Sequence, residues 1–264
     1  MGSTTTEPLC VLLTGGGTGI GASAVKYLVK DYKANVVALT LGVNDEIKAL
    51  EKEYAESFVL HMGDVTKVED VAAAVQTMSD KFGRIDSVLV CAGLEPAPKR
   101  IRNLEASEML QVYNVNVIGA LYAFQQSLPL LEKSTQARPR IIMLSSTGDQ
   151  GHRSGRVAYC ASKAGMSRLI DTLAHEERGF DVYGVYPGLT ETPLAKGLLE
   201  GKYNDILFPE DQVFYRQSVE DGTVDPPEYC GEASAKLAVW KADGLPGKIA
   251  SYSEHVPECR YGIW

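Results

Sequence analysis

The chain has 264 residues, 45% of them hydrophobic and 23% charged, with a formal net charge of −8. That length suits a single α/β domain spanning 1–264, and the apolar share supplies a core and excludes a disordered chain. Lysines and arginines scattered through an acidic chain leave no basic stripe for a phosphate backbone, so nucleic acid is not expected as a partner.

The start, "MGSTTTEPLC", has no charged leader followed by a long apolar run, and no stretch of about 18 apolar residues occurs, so a cytoplasmic protein without a membrane segment is expected. "MGSTTT" also fits the loose myristoylation pattern, without the basic cluster that would support it. Apolar, β-branched runs then recur at 10–14, 35–40, 57–62, 86–91, 140–145 and 181–186, each reading as a buried strand. Segments of helical length separate them, near 19–31, 45–56, 67–82, 105–132 and 157–178. Alternation of this kind predicts a doubly wound Rossmann domain, a parallel sheet of about seven strands with helices on both faces. From 193 to 225 the rhythm breaks, predicting short helices and loops with exposed aromatics over the sheet's carboxyl edge. Phe208, Phe214 and Tyr215 of this segment read equally as a lid or as anchors for a mobile stretch. A helix near 227–241 and a strand near 247–251 complete the pattern. The five cysteines (Cys10, Cys91, Cys160, Cys230, Cys259) form no CxxC pair and read as reduced thiols. His61, His152, His175 and His255 are dispersed, so no metal site is expected.

"TGGGTGIG" (14–21) directly follows the first strand and opens the first helix. In that setting glycines let backbone amides approach a pyrophosphate at a helix N-terminus, where the dipole favours an anion. No Gly-Lys-Ser/Thr follows, which excludes a P-loop. The ribose-binding acid of NAD binders falls about 20 residues further on, where this chain reads Thr40–Leu41–Gly42. No acid stands there to repel a phosphate and no Arg stands there or at Thr18 to bind one, which leaves Thr40 and Asn44 as the groups at hand to bind it.

A second pattern is "YCASK" (159–163), with Tyr159 and Lys163 one helical turn apart on one face. A free phenol has a pKa of ~10, too high for proton exchange at neutral pH. An ammonium about 5 Å away, at an effective dielectric near 20, favours the phenolate by roughly 3 kcal/mol, or about two pK units. Ser146 lies thirteen residues before Tyr159, with Ser145 as its rival for any role at that strand end. Taken singly, Tyr159 reads as an interface residue, Lys163 as a solvated charge and Ser146 as a strand cap. Their joint spacing behind a glycine loop points to catalysis instead.

The TGxxxGxG spacing resembles the short-chain dehydrogenase/reductase family. The resemblance continues through Asp64–Val65, "CAG" (91–93), "NVNVIG" (114–119), "LSS" (144–146), "YCASK" and "PGLTET" (187–192), across nearly the whole chain. It implies hydride transfer with catalytic Asn116, Ser146, Tyr159 and Lys163. Ser146 would bind the substrate oxygen, and Asn116 would anchor a water leading from Lys163 to solvent, with Asn114 left as a packing residue. The resemblance assigns to the cofactor Gly15, Gly17, Thr18, Gly19 and Ile20 of the loop and Thr40 after the second strand. Asp64 and Val65 would hold the adenine, and Ala92 and Gly93 would line the ribose side, beside Cys91, which stands where the family usually has Asn. Asn116, Tyr159 and Lys163 also border the cofactor, as do Pro187, Gly188, Thr190 and Thr192, the last at the nicotinamide amide. More loosely, "EERGFDVYGVYPGLTETPL" and "LPGKIASYSEH" resemble the sepiapterin- and benzil-reductase-like branch, implying reduction of a ketone or diketone, or oxidation of the secondary alcohol. That reductase-like resemblance, with the missing acid after the second strand, favours NADP(H) over NAD(H). His152 and Arg153 would then line the substrate mouth or simply sit in a solvated loop. Such proteins pair through the helices near 105–132 and 157–178, so a homodimer or homotetramer is expected. Two rivals stand beside the reductase: a dinucleotide sensor without turnover, and an enzyme that uses the same pocket for a non-redox step.

Overall fold

A computed structural model describes residues 7–259. The myristoylation pattern at the start of the chain lies outside the described residues. Seven strands form one parallel sheet: β1 (Cys10–Thr14), β2 (Asn35–Thr40), β3 (Phe58–Met62), β4 (Ser87–Val90), β5 (Arg140–Leu144), β6 (Asp181–Tyr186) and β7 (Ile249–Ser251). Their spatial order is β3-β2-β1-β4-β5-β6-β7, so the winding reverses between β1 and β4. At such a reversal the two following loops diverge and leave a crevice beyond the carboxyl ends of the strands.

Among the described residues the chain forms ten α-helices: α1 (Gly19–Lys26), α2 (Asp45–Glu53), α3 (Val68–Phe82), α4 (Ala106–Tyr113), α5 (Gly119–Leu131), α6 (Val157–Glu176), α7 (Lys196–Leu199), α8 (Pro209–Glu220), α9 (Pro227–Ala238) and α10 (Tyr252–His255), with short π and 3-10 turns between some of them. Because successive strand residues point to opposite faces, each strand feeds two cores. Val11 and Leu13 of β1 join Val25 of α1, Ile47 of α2 and Leu237 of α9, whereas Cys10 and Leu12 join Met78 of α3, Phe124 of α5 and Ile170 of α6. This double coverage is what the continuous apolar runs predicted. No described helix is long and apolar enough to cross a membrane.

Three features depart from the sequence expectation. The helix expected over 105–132 is broken by a π turn at Asn114–Ile118, and the first helix ends in another at Tyr27–Asp31. Each π turn inserts one residue per turn and re-aims the side chains beyond it, which often serves a site. Between 193 and 225 the chain forms α7 and the three-turn α8, the latter longer than the short helices expected. Tyr215, expected among the exposed aromatics, is 2% exposed and packs with Leu198 and Leu207 in a small core of its own.

Candidate active site

The crevice at the winding reversal opens into a cavity of about 430 Å³ running from the glycine loop to Tyr159. Its near end is built by backbone. Gly15 has φ +77°, and a Cβ there would lie 2.6 Å from the Ala92 nitrogen, so only glycine lets the β1 turn close on the end of β4. A Cβ on Gly17 would lie 1.8 Å from the Gly42 oxygen, locking the loop against the chain after β2. Thr18 caps α1 with no side-chain hydrogen bond, and no acid stands in the first turn, so nothing there opposes an anion at the leading amides. Gly15→Ala is expected to cost about 2–3 kcal/mol of stability, from a left-handed residue plus a backbone clash. It should also weaken dinucleotide binding at least tenfold, with denaturant melts and calorimetry as the checks.

Thr18, Gly19, Ile20, Thr40, Val65, Cys91, Ala92 and Gly93 line this part of the cavity beside Gly15, and Gly188 and Thr192 approach from the opposite side with Pro187 and Thr190. A Cβ on Gly19 would meet the Thr192 methyl at 3.3 Å, so the two sides nearly touch above the floor. Gly17, Asp64 and Asn116 stand outside the lining. Asp64 accepts from the amide and hydroxyl of Thr66 at 2.9 and 2.8 Å. Thr40 donates to the Gly42 carbonyl at 2.8 Å, and Asn44 caps α2 by accepting from the Ile47 amide at 2.9 Å. Burial raises the Cys91 thiol well above its ordinary pKa, so it stays protonated and is no nucleophile.

At the far end the chain sorts its two serines. Ser145 is buried and shares a 2.7 Å hydrogen bond with Ser167 of α6, which donates to Asp149 at 2.5 Å; Tyr186 donates to the same carboxylate at 2.7 Å. Ser146 points the other way, accepting from the Gly148 amide at 3.1 Å and lying beside the Tyr159 phenol, whose pKa it lowers. That contact favours Ser146 as the substrate-facing serine.

Tyr159 and Lys163 rise from the first turns of α6, both nearly fully buried, with the ammonium 5.7 Å from the phenol ring centroid. Lys163 donates to the Leu144 carbonyl at the end of β5, 2.8 Å away. Desolvation lowers its pKa to about 8, against support from the Glu95 and Asp149 carboxylates. The phenol itself is not acidified in this pocket. Burial, then Glu95, push its pKa up, and Ser146 and Arg156 only partly oppose them. The simple ammonium argument omitted desolvation, which dominates for a group this deep.

The π turn aims Asn116 at the loop after β4. Its oxygen accepts from the Leu94 amide at 2.7 Å; its NH₂ donates to the Leu94 carbonyl at 3.0 Å and to Ser162 at 2.8 Å. The side-chain amide that the resemblance assigned to a water therefore fastens this loop to α6.

Beyond Tyr159 the wall carries Leu189, Leu194, Leu198, Phe214 and Tyr215 beside charged side chains. Asp211 pins α8 over it, accepting from the Ser154 amide at 2.8 Å and hydroxyl at 2.6 Å, with Arg153 3.4 Å away. Arg153 lines the cavity and stacks on Phe214 with its guanidinium carbon 3.5 Å from the ring centre, whereas His152 and Phe208 do not line it. Sequence reasoning missed one pair altogether. Glu95, two residues after "CAG", and Arg156, three before Tyr159, form a bidentate ion pair in the cavity wall. Nothing local links them across a separation of 61 residues. Among the described residues no group of three His, Cys, Asp or Glu converges to hold a metal.

The comparisons with known proteins agree with this geometry. An uncharacterized oxidoreductase of Schizosaccharomyces pombe is 28% identical over 93% of this chain and 97% of its own. The L-fucose dehydrogenase of Bos taurus is 34% identical over 71% of this chain and 68% of its own. The crystal structure of a short-chain dehydrogenase/reductase from Saccharomyces cerevisiae superimposes with a TM-score of 0.85 at 25% identity, covering 92% of this chain and 96% of that one. Residues 9–202 match the family described as short chain dehydrogenase, and with the strand order and the paired Tyr159 and Lys163, the chain belongs to that family of oxidoreductases.

Proposed function

We propose that the protein is an NADP(H)-dependent carbonyl reductase that interconverts a ketone or diketone and its secondary alcohol. The observation that carries this reading is the convergence of Ser146, Tyr159 and Lys163 in the wall of a cavity that begins on the glycine loop. The loop fits a dinucleotide, since its glycines leave space that any Cβ would fill and its helix presents free amides. The bound nicotinamide supplies or accepts the hydride. Gly15, Thr18, Gly19 and Ile20 would hold the pyrophosphate end, Val65, Ala92 and Gly93 the adenosine, and Thr192 the nicotinamide amide.

In reduction Ser146 and Tyr159 both donate to the carbonyl oxygen and draw electron density from carbon. Tyr159 then delivers its proton to that oxygen as the negative charge grows. Lys163 stabilises the phenolate left behind, and its Leu144 contact fixes the ammonium so that no reorganisation is needed in the step. The leucines and aromatic rings of the wall suit a substrate of aromatic character, in keeping with the sepiapterin- and benzil-reductase-like resemblance. The half-exposed Leu110 of α4, beside the equally apolar Met109 and Tyr113, supports pairing of two copies along α4 and α6 as a dimer or a dimer of dimers. Unbonded cysteines support a reducing, cytoplasmic setting.

The test follows reduced-nicotinamide absorbance with NADPH and NADH against diketones, aromatic ketones and pterins. Consumption of NADPH with at least one of them is expected. Binding without consumption across the panel would favour a sensor, and product without net oxidation a non-redox enzyme. The cofactor choice has its own check, because a carboxylate at Thr40 would face the 2′-phosphate across a low-dielectric wall. Thr40→Asp is expected to raise the NADPH KM tenfold or more while leaving that for NADH within a few-fold.

A further inference from the structure

The Glu95–Arg156 pair sits where an ion pair is an unusual choice. Both side chains are largely withdrawn from solvent, 4% and 12% exposed, and pairs in such positions stabilise folds little or not at all against apolar substitutes. What sets this one apart is what it touches. The guanidinium carbon of Arg156 lies 4.9 Å from the centre of the Tyr159 ring. A second nitrogen of the same group donates to the Tyr215 hydroxyl of α8 at 2.9 Å. One planar fork thus connects the loop after β4, the proton-donating phenol and the helix that roofs the substrate pocket.

We propose that Glu95 and Arg156 are positioning residues for the reaction, the pair setting the electrostatic field at Tyr159 and, through Tyr215, fixing α8 over the substrate. The inference rests on the reductase reading and names the device that tunes its proton donor. The groups facing Tyr159 come from every element around it: Lys163 and Cys160 from α6, Ser146 after β5, Glu95 after β4, and Arg156, with Tyr215 of α8 bonded to it. Arg156 favours the phenolate, and Glu95 opposes it while supporting the charged form of Lys163. Arg156 is held charged by the carboxylate, so it cannot be titrated away at any working pH.

The signs follow from these positions. Glu95→Gln removes the anion without changing shape, so both the phenol and the Lys163 ammonium lose protons more readily. Reduction needs both protons, and the alkaline limb of its pH profile should move down by about one unit. Arg156→Met leaves Glu95 uncompensated, and the limb should move up, with Arg156→Lys restoring it. Tyr215→Phe cuts only the link to α8, and should raise the ketone KM several-fold while leaving the limb in place.

The experiment is the pH dependence of kcat and of kcat/KM for reduction by the intact enzyme and these four variants, with melting temperatures alongside. Opposite limb shifts in Glu95→Gln and Arg156→Met are the expected result. If both keep the wild-type limb and lose only melting temperature, the pair is a structural brace and the proposal is overturned. Inactivity of the wild-type chain towards every carbonyl and alcohol would instead overturn the reductase reading, and this inference with it.

Discussion

Phenylalanine at position 159 is expected to leave a folded, cofactor-binding protein whose reduction rate has fallen roughly 10³- to 10⁴-fold, an increase in barrier of about 4–5.5 kcal/mol. The size follows from what the hydroxyl does: it donates to the substrate oxygen and is the group that gives that oxygen a proton. Ser146 remains and still polarises the carbonyl, which sets the residual rate above that of the uncatalysed reaction. Stability should barely change. The ring keeps its burial and its packing under Arg156, Ser146 keeps its Gly148 amide partner, and losing one polar contact of a hydroxyl costs only about 1 kcal/mol. Single-turnover kinetics under saturating cofactor, with a melting curve and a cofactor titration, separate these effects. Turnover near wild-type would sink the mechanism.

Most of the fold and part of the site could be read from the sequence, and the boundary between the two has physical causes. Runs such as "CVLLT" and "RIIML" announce themselves because a strand covered on both faces must be apolar throughout. The glycine loop is legible because its neighbours, Ala92 and Gly42, approach more closely than any side chain allows. The π turn at Asn114–Ile118 left no trace, since a one-residue slip inside an apolar helix barely alters its periodicity. Ser145 and Ser146 could not be separated by spacing alone; alternation at the strand end sends one to Ser167 and the other to Tyr159. Phe214 and Tyr215 looked alike in sequence, yet one is 37% exposed and the other 2%, because α8 turns only one of them into its small core. Glu95 and Arg156 were invisible for a different reason: a pair brought together by sheet topology carries no local pattern.

Lys163→Met should lower the reduction rate by at least a hundredfold. The ammonium lies 5.7 Å from the ring centroid, and a unit charge at about that distance with an effective dielectric near 20 is worth roughly 3 kcal/mol to a developing phenolate, set against the burial that raises the phenol's pKa; methionine supplies none of it. The pH profile gives the sharper test. With its pKa lowered to about 8, Lys163 is charged below that value and neutral above it. Wild-type reduction should therefore be flat at low pH and fall as pH rises through about 8. In the variant that limb should vanish, leaving a low rate that changes only where the phenol itself ionises, at higher pH. Stability moves the opposite way. A lysine whose pKa is lower folded than unfolded costs the fold free energy below about 8, where both states are charged, and that cost disappears as pH rises towards the unfolded value of about 10.4. A shift from the ordinary value to about 8 corresponds to about 3 kcal/mol, partly offset in the variant by the lost contact to the Leu144 carbonyl. Lys163→Met is thus expected to melt no lower than the wild type at pH 7 while being nearly inactive, the mark of a charge kept in the core for chemistry. A variant that unfolds early, or that retains the limb near pH 8, would assign that titration to another group and return Lys163 to a purely structural role.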